Sequence, residues 1–148
     1  YNVPSAVVKI GFKEGCSYVK EELYETKLTT GDLIERLKGL NIQRSDELFC
    51  DNAEPKTIEE LKRAGFNAKP AEKDVYAGIQ KVKSMPLFVS PDSSNLIKEL
   101  RSYKWKLDKD GKIHPDEVPV KFNDHACDAM RYGIYTKLNR PQMAVRVW

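Results

Sequence analysis

Long apolar runs are missing from these 148 residues: none approaches the roughly 20 residues that a spanning helix needs, so a membrane protein is not expected. Cysteine is scarce as well. Cys16, Cys50 and Cys127 are odd in number and widely spaced, which argues against a disulfide framework or a zinc-ribbon pair. An excess of one charge sign is lacking too, because 25 Lys and Arg against 22 Asp and Glu leave only +3. No basic field therefore announces a nucleic-acid partner. Lysines interleaved with glutamates, as in Lys20-Glu21-Glu22, read as solvated faces. Tyr1 to Phe12 has no basic flank leading into an apolar stretch and a small-residue cleavage site, so a cytosolic address is the expectation. Internal repeats and low-complexity segments are absent, and no Gly-x-x-x-x-Gly-Lys-Ser/Thr sequence suggests a nucleotide-driven motor.

What remains is a balanced chain, 41% hydrophobic and 32% charged, of the size of one domain over residues 1–148. Val8, Ile10 and Phe12 alternate with Lys9 and Gly11, which predicts a strand over Ala6 to Phe12. A turn at Lys13-Glu14-Gly15 leads into a longer strand from Cys16, so the chain opens with an antiparallel hairpin. Thr30 is the expected N-cap of a helix bearing Leu33, Ile34, Leu37 and Leu40. Glu47 to Asp51 is a short apolar run ending in a carboxylate, and Pro55 opens the next helix, which Gly65 ends. An extended stretch around residues 67–71 precedes a helix over 75–83, a strand over 87–90 and a helix over 92–100. Tyr103, Trp105 and Leu107 then alternate into a turn at Asp108-Lys109-Asp110-Gly111, and a long helix covers about 123–138. A hairpin followed by strand-helix alternation predicts an α/β fold, a mixed β-sheet flanked by helices.

Two carboxylates stand out. Asp51 ends a buried strand where the chain leaves the sheet, the edge at which ligands collect in open α/β folds; from position alone the simpler reading is that Asp51 or Asn52 caps the helix that follows. In the last helix, spacing puts Asp124, His125, Asp128 and Arg131 on one face and Ala126, Ala129, Met130, Gly133 and Ile134 on the other. That polar face is either part of a site or an exposed surface holding a His125–Asp128 pair. One carboxylate at a strand end and another on a packed helix are what a hard, oxygen-preferring divalent cation needs. Competing chemistry is weaker. The ligand pattern of a calcium loop stops after Gly111, and Cys127 diverges in direction from His125, which disfavours a thiol nucleophile. Trp105 with Lys104 and Lys106, and the lysines Lys69, Lys73, Lys81 and Lys83, are candidate DNA contacts or simply solvated and packing residues.

Asp51-Asn52-Ala53-Glu54-Pro55-Lys56, followed by Ile58, Glu60, Leu61 and Gly65, resembles the second acidic motif of the nuclease domains of phage DNA-packaging terminase large subunits. Asn123 to Tyr132, with its His-x-x-Asp-Ala-x-Arg-Tyr pattern, resembles the third, and Tyr1 to Ala6 looks like the sequence after the first catalytic Asp. The resemblance implies an RNase H-like fold whose first, central strand, with that Asp, is missing from the given chain. It also implies metal-binding catalytic carboxylates at Asp51 and Asp128, with His125 near the metal or the scissile phosphate and Glu54 as a secondary candidate. Two Mg²⁺ or Mn²⁺ ions, cleavage of concatemeric double-stranded DNA, and a full protein with a packaging ATPase domain, a portal and a small terminase subunit in an infected or lysogenic bacterial host follow as expectations. A catalytically silent DNA- or portal-docking fragment and a resolvase or transposase relative of the same fold are the alternatives.

Overall fold

The opening hairpin forms where the alternation of apolar residues predicts it. In the computed structural model, which describes residues 3–51, 53–102 and 124–139, β1 (Ser5–Lys13) pairs antiparallel with β2 (Cys16–Glu25). The two residues between them, Glu14 at φ 52° and Gly15 at φ 76°, supply the positive φ that a tight hairpin turn demands. β2 also pairs in parallel with β5 (Leu87–Val89), giving the order β1-β2-β5, while β3 (Glu47–Cys50) and β4 (Asn67–Pro70) form a separate parallel pair. The sheet is thus read as two ladders among the described residues rather than one. Five helices accompany them: α1 (Thr30–Lys38), α2 (Pro55–Arg63), α3 (Val75–Lys83), α4 (Ser94–Ser102) and α5 (His125–Leu138).

Two helix starts differ from expectation, each for a local reason. Thr29, not Thr30, caps α1, because Asp32 lies three residues on and returns the contact: Thr29 Oγ1 accepts the Asp32 N–H at 3.1 Å and Asp32 Oδ2 accepts the Thr29 N–H at 3.0 Å. The fourth helix begins at Ser94 rather than Asp92, since Ser93 N–H donates to Ser90 O at 3.0 Å and the Ser90 hydroxyl bonds the Asp92 carboxylate, holding residues 90–93 in a turn. The expected hairpin around Trp105 and the turn at Asp108 to Gly111 lie outside the described residues.

Strand β1 serves both hydrophobic cores, as its period-two side chains require. Ala6, Val8 and Ile10 pack against the cluster of Val19, Leu96, Ala126, Cys127, Met130 and Ile134, whereas Val7 packs against Leu37, Ile58, Leu61 and Ala68. Helix α5 lies across both ladders, touching β1, β2 and β3. Its Gly133 rests against the end of the Ile10 side chain, which an added Cβ would displace.

Two carboxylates seat the helices that follow the hairpin. Glu21 of β2 accepts the Leu96 N–H at 2.7 Å and the Asn95 side-chain amide at 2.9 Å, so it caps the first turn of α4. From α4, Glu99 accepts the Cys127 N–H at 2.9 Å in the first turn of α5 and the Tyr24 hydroxyl at 2.7 Å. A donor at the start of each helix is thereby satisfied by a side chain from the preceding layer.

Helices α3 and α5 approach closely at Gly78, where an added Cβ would lie 2.9 Å from Cγ and 3.0 Å from Cδ of the buried Arg131. Alanine in a helix interior ordinarily gains up to about 1 kcal/mol over glycine. Here the sign should reverse: Gly78→Ala is expected to destabilise by about 1–2 kcal/mol, the cost of overpacking, read from the shift of a urea midpoint.

Candidate active site

Because β3 and β4 run parallel with Cys50 opposite Pro70, the residues after them, Asp51 and Ala71, leave the sheet at one edge. The backbone there is tied twice. Ala71 N–H donates to Cys50 O at 2.7 Å, and Glu72 N–H donates to the hydroxyl of Thr136 on α5 at 2.8 Å. Lys73 comes next, and its ammonium lies 2.7 Å from Asp51 Oδ1. That contact raises the lysine pKa above its ordinary value, through the hydrogen bond first. Asp51 Oδ1 also accepts the Ala53 N–H at 2.9 Å. Asp51 is therefore not the cap of α2: Glu54 occupies that position, is exposed, and offers no side-chain cap.

Helix α5 brings the second carboxylate. Asp128 Oδ1 lies 3.2 Å from Arg131 Nη2, with side chains only 16% and 6% exposed. The polar stripe expected on this helix is thus packed inside rather than solvated, because α3 covers one side of α5 and β1 the other. Asp124 and Arg131 are both buried. Among the described residues Arg131 Nε and Nη1 have no hydrogen-bond partner, and the guanidinium carbon stands 5.1 Å from the Tyr132 ring centroid.

Tyr132 reports on the whole assembly. Burial raises its phenol pKa first, the negative charges of Asp128 and Asp51 raise it further, and Arg131 and Lys73 oppose them. Those charges come from α5 itself and from the chain leaving β3 and β4, which α5 contacts at β3. His125, half-buried at the first position of α5, and Glu54 take no part in these charge contacts. Among the described residues no group of three or more His, Cys, Asp or Glu side chains is gathered closely enough to hold a metal. The carboxylate oxygens of Asp51 and Asp128 are donors of the kind suited to hard cations such as Mg²⁺ or Mn²⁺ rather than to thiophilic ones. Burial pushes the Cys50 thiol up to about 11. Burial and then the Glu99 charge push Cys127 far above the thiol range, which disposes of a thiolate nucleophile there.

Sequence reasoning left Lys73 among generic candidate DNA contacts and did not find Glu99. Lys69 and Lys73 prove to be paired, to Glu47 at 2.9 Å and to Asp51. What brings Lys73 beside Asp51 is the parallel pairing of β3 and β4, which releases both chains at the same edge.

Residues 2–135 match the family described as the terminase RNase H-like domain. The large terminase subunit of Escherichia phage T5 is 28% identical over 145 residues, covering 92% of this chain and 33% of that protein. The PBSX phage terminase large subunit of Bacillus subtilis strain 168 is 28% identical over 121 residues, 79% of this chain and 27% of that protein. The chain therefore spans a third or less of the length of these relatives. In fold it is similar to the large-terminase nuclease domain of bacteriophage SPP1 with bound Mn, at TM-score 0.77 and 21% identity over 93% of this chain and 80% of that one. The large terminase of a thermophilic bacteriophage in complex with ATP-γ-S gives TM-score 0.73 and 22% identity over 93% and 41%. With the family matched over nearly the whole length and the RNase H-like architecture reproduced, this chain belongs to the terminase RNase H-like domain family, the nuclease-like domain of phage large terminase subunits.

Proposed function

We propose that this chain is the metal-dependent endonuclease domain of a viral DNA-packaging terminase, hydrolysing phosphodiesters of concatemeric double-stranded DNA with Asp51 and Asp128 as its metal-binding carboxylates. The observation that carries the reading is that Asp51 leaves the end of β3 while α5, the helix that presents Asp128, packs against that same strand. Bound there, two Mg²⁺ or Mn²⁺ ions about 3.5–4 Å apart would acidify an attacking water and stabilise charge on the leaving oxygen. Asp51 supplies its oxygens from a strand end whose backbone carbonyls accept the Ala71 N–H at Cys50 and the Glu54 N–H at Asp51. Asp128 is oriented by the buried Arg131 guanidinium. His125, one helical turn before Asp128, would meet a phosphate or an ordered water, and Glu54 is a more distant candidate at the start of α2.

Two carboxylates are few for two ions, even though Mg²⁺ retains several waters. In the whole protein we expect a packaging ATPase domain, a portal and a small terminase subunit as partners, in the cytoplasm of a bacterial host. The pairing of each carboxylate with its own cation favours, as a second reading, a catalytically silent DNA- or portal-docking module.

A plasmid assay on the full-length protein separates the two. Supercoiled DNA should be nicked and linearised with Mn²⁺ present and left intact after EDTA. Plasmid that survives saturating Mn²⁺ unchanged would favour the silent module.

A further inference from the structure

Lys73 stands out from the other surface lysines because its place is built. The segment that carries it is anchored at Ala71 to the end of β3 and at Glu72 to Thr136 of α5, so it is fixed to both elements that bear the site's carboxylates. Asp74, on its other side, caps α3 by accepting the Ala77 N–H at 2.8 Å. Between these anchors the Lys73 side chain is one-third exposed and turns back onto Asp51, rather than extending into solvent. An ammonium at 2.7 Å from a carboxylate oxygen stands where a divalent cation would have to sit to use that oxygen.

We propose that Lys73 is the site's built-in counter-cation, competing with divalent metal for Asp51 and so weakening the metal affinity of the metal-free domain. The inference rests on the reading of Asp51 as a metal ligand. Its physical basis is competition between cations: Asp51 Oδ1 already accepts from the ammonium and from the Ala53 N–H, so a metal using this carboxylate must displace the lysine or bear its repulsion, and whatever holds the lysine there is subtracted from metal binding.

Counting free Mn²⁺ by electron paramagnetic resonance, in the nucleotide-free full-length protein, tests it. Lys73→Met keeps the length of the stem and removes the charge. It should tighten Mn²⁺ binding by about fivefold, the scale of a half-exposed ion pair. Lys73→Arg should bind close to wild type. Lys69→Met removes a neighbouring lysine of β4 that pairs with Glu47, and should leave the affinity unchanged, which separates local competition from a general loss of positive charge. In an Asp51→Asn background, Lys73→Met should add nothing, as a double-mutant cycle requires of an effect exerted through Asp51. Unchanged or weaker Mn²⁺ binding by Lys73→Met overturns the proposal, and Lys73→Gln repeats the test should the methionine variant fold poorly. Equal Mn²⁺ binding by wild type, Asp51→Asn and Asp128→Asn would instead defeat the underlying site assignment.

Discussion

Asp51→Asn is expected to lower Mn²⁺-dependent cleavage of supercoiled plasmid by at least about a hundredfold, because loss of even an outer partner of a metal ligand costs about ten- to a hundredfold. The substitution is nearly isosteric, and it removes an ion pair whose partners are 44% and 33% exposed, so the stability change should stay within about 1 kcal/mol. Activity would then collapse in a protein that unfolds where wild type does. Asp128→Asn should abolish cleavage to a similar degree but with a different stability signature. Its partner Arg131 is only 6% exposed and already has two donors without acceptors among the described residues. Taking away the carboxylate charge leaves a buried guanidinium uncompensated, at a cost of about 3 kcal/mol. Rate and urea midpoint measured on both variants separate a lost ligand from a lost fold, and wild-type cleavage by either variant removes that residue from the site.

Glu99→Ala should produce a stability loss as large as that of Asp128→Asn, from a residue outside the site. This carboxylate is 3% exposed, and its two oxygens accept from the Tyr24 hydroxyl and from the Cys127 N–H. Burial and the negative Glu99 push the Tyr24 phenol far above its ordinary range, which keeps it protonated and donating at any physiological pH. Truncation strands both donors, each costing about 1–3 kcal/mol when left without an acceptor. A total near ~3 kcal/mol should lower the melting temperature by about 6–12 °C in a chain of this size. Glu99→Gln retains an acceptor for the backbone donor and should lose less than half as much. Cleavage should fall as well, since the first turn of α5 that Glu99 holds is the turn carrying His125 and Asp128. A melting point within about 2 °C of wild type, where about 6–12 °C is expected, would show that the cap contributes little.

The elements were legible in the sequence where the signal is local. Alternation through Val8, Ile10 and Phe12 predicted β1, Pro55 marked the first residue of α2, and helical spacing predicted α3 and α5. What local pattern could not supply was the environment of a polar face. Asp124, His125, Asp128 and Arg131 share one side of α5 as the spacing requires, yet whether that side meets water depends on α3, far earlier in the chain, packing over it. The same limit hid Glu99, whose identity as a cap rests on contacts with Tyr24 and Cys127, 75 and 28 positions away. Lys73 was hidden differently. Its residue type fits a solvated lysine, and only the parallel register of β3 and β4 shows that it emerges beside Asp51. The family resemblance, in contrast, was carried by residues at the sites themselves, and it extended to the fold because the order of the acidic motifs follows the order of the strands and helices that present them.

The most direct test is a crystal structure of the full-length protein soaked in Mn²⁺, with anomalous scattering used to locate the metal. The account predicts a manganese peak bonded to an oxygen of Asp51 or of Asp128, with the other carboxylate bound to the same ion or to a second one about 4 Å away. Manganese bound elsewhere, or absent from both carboxylates at saturating concentration, would contradict it.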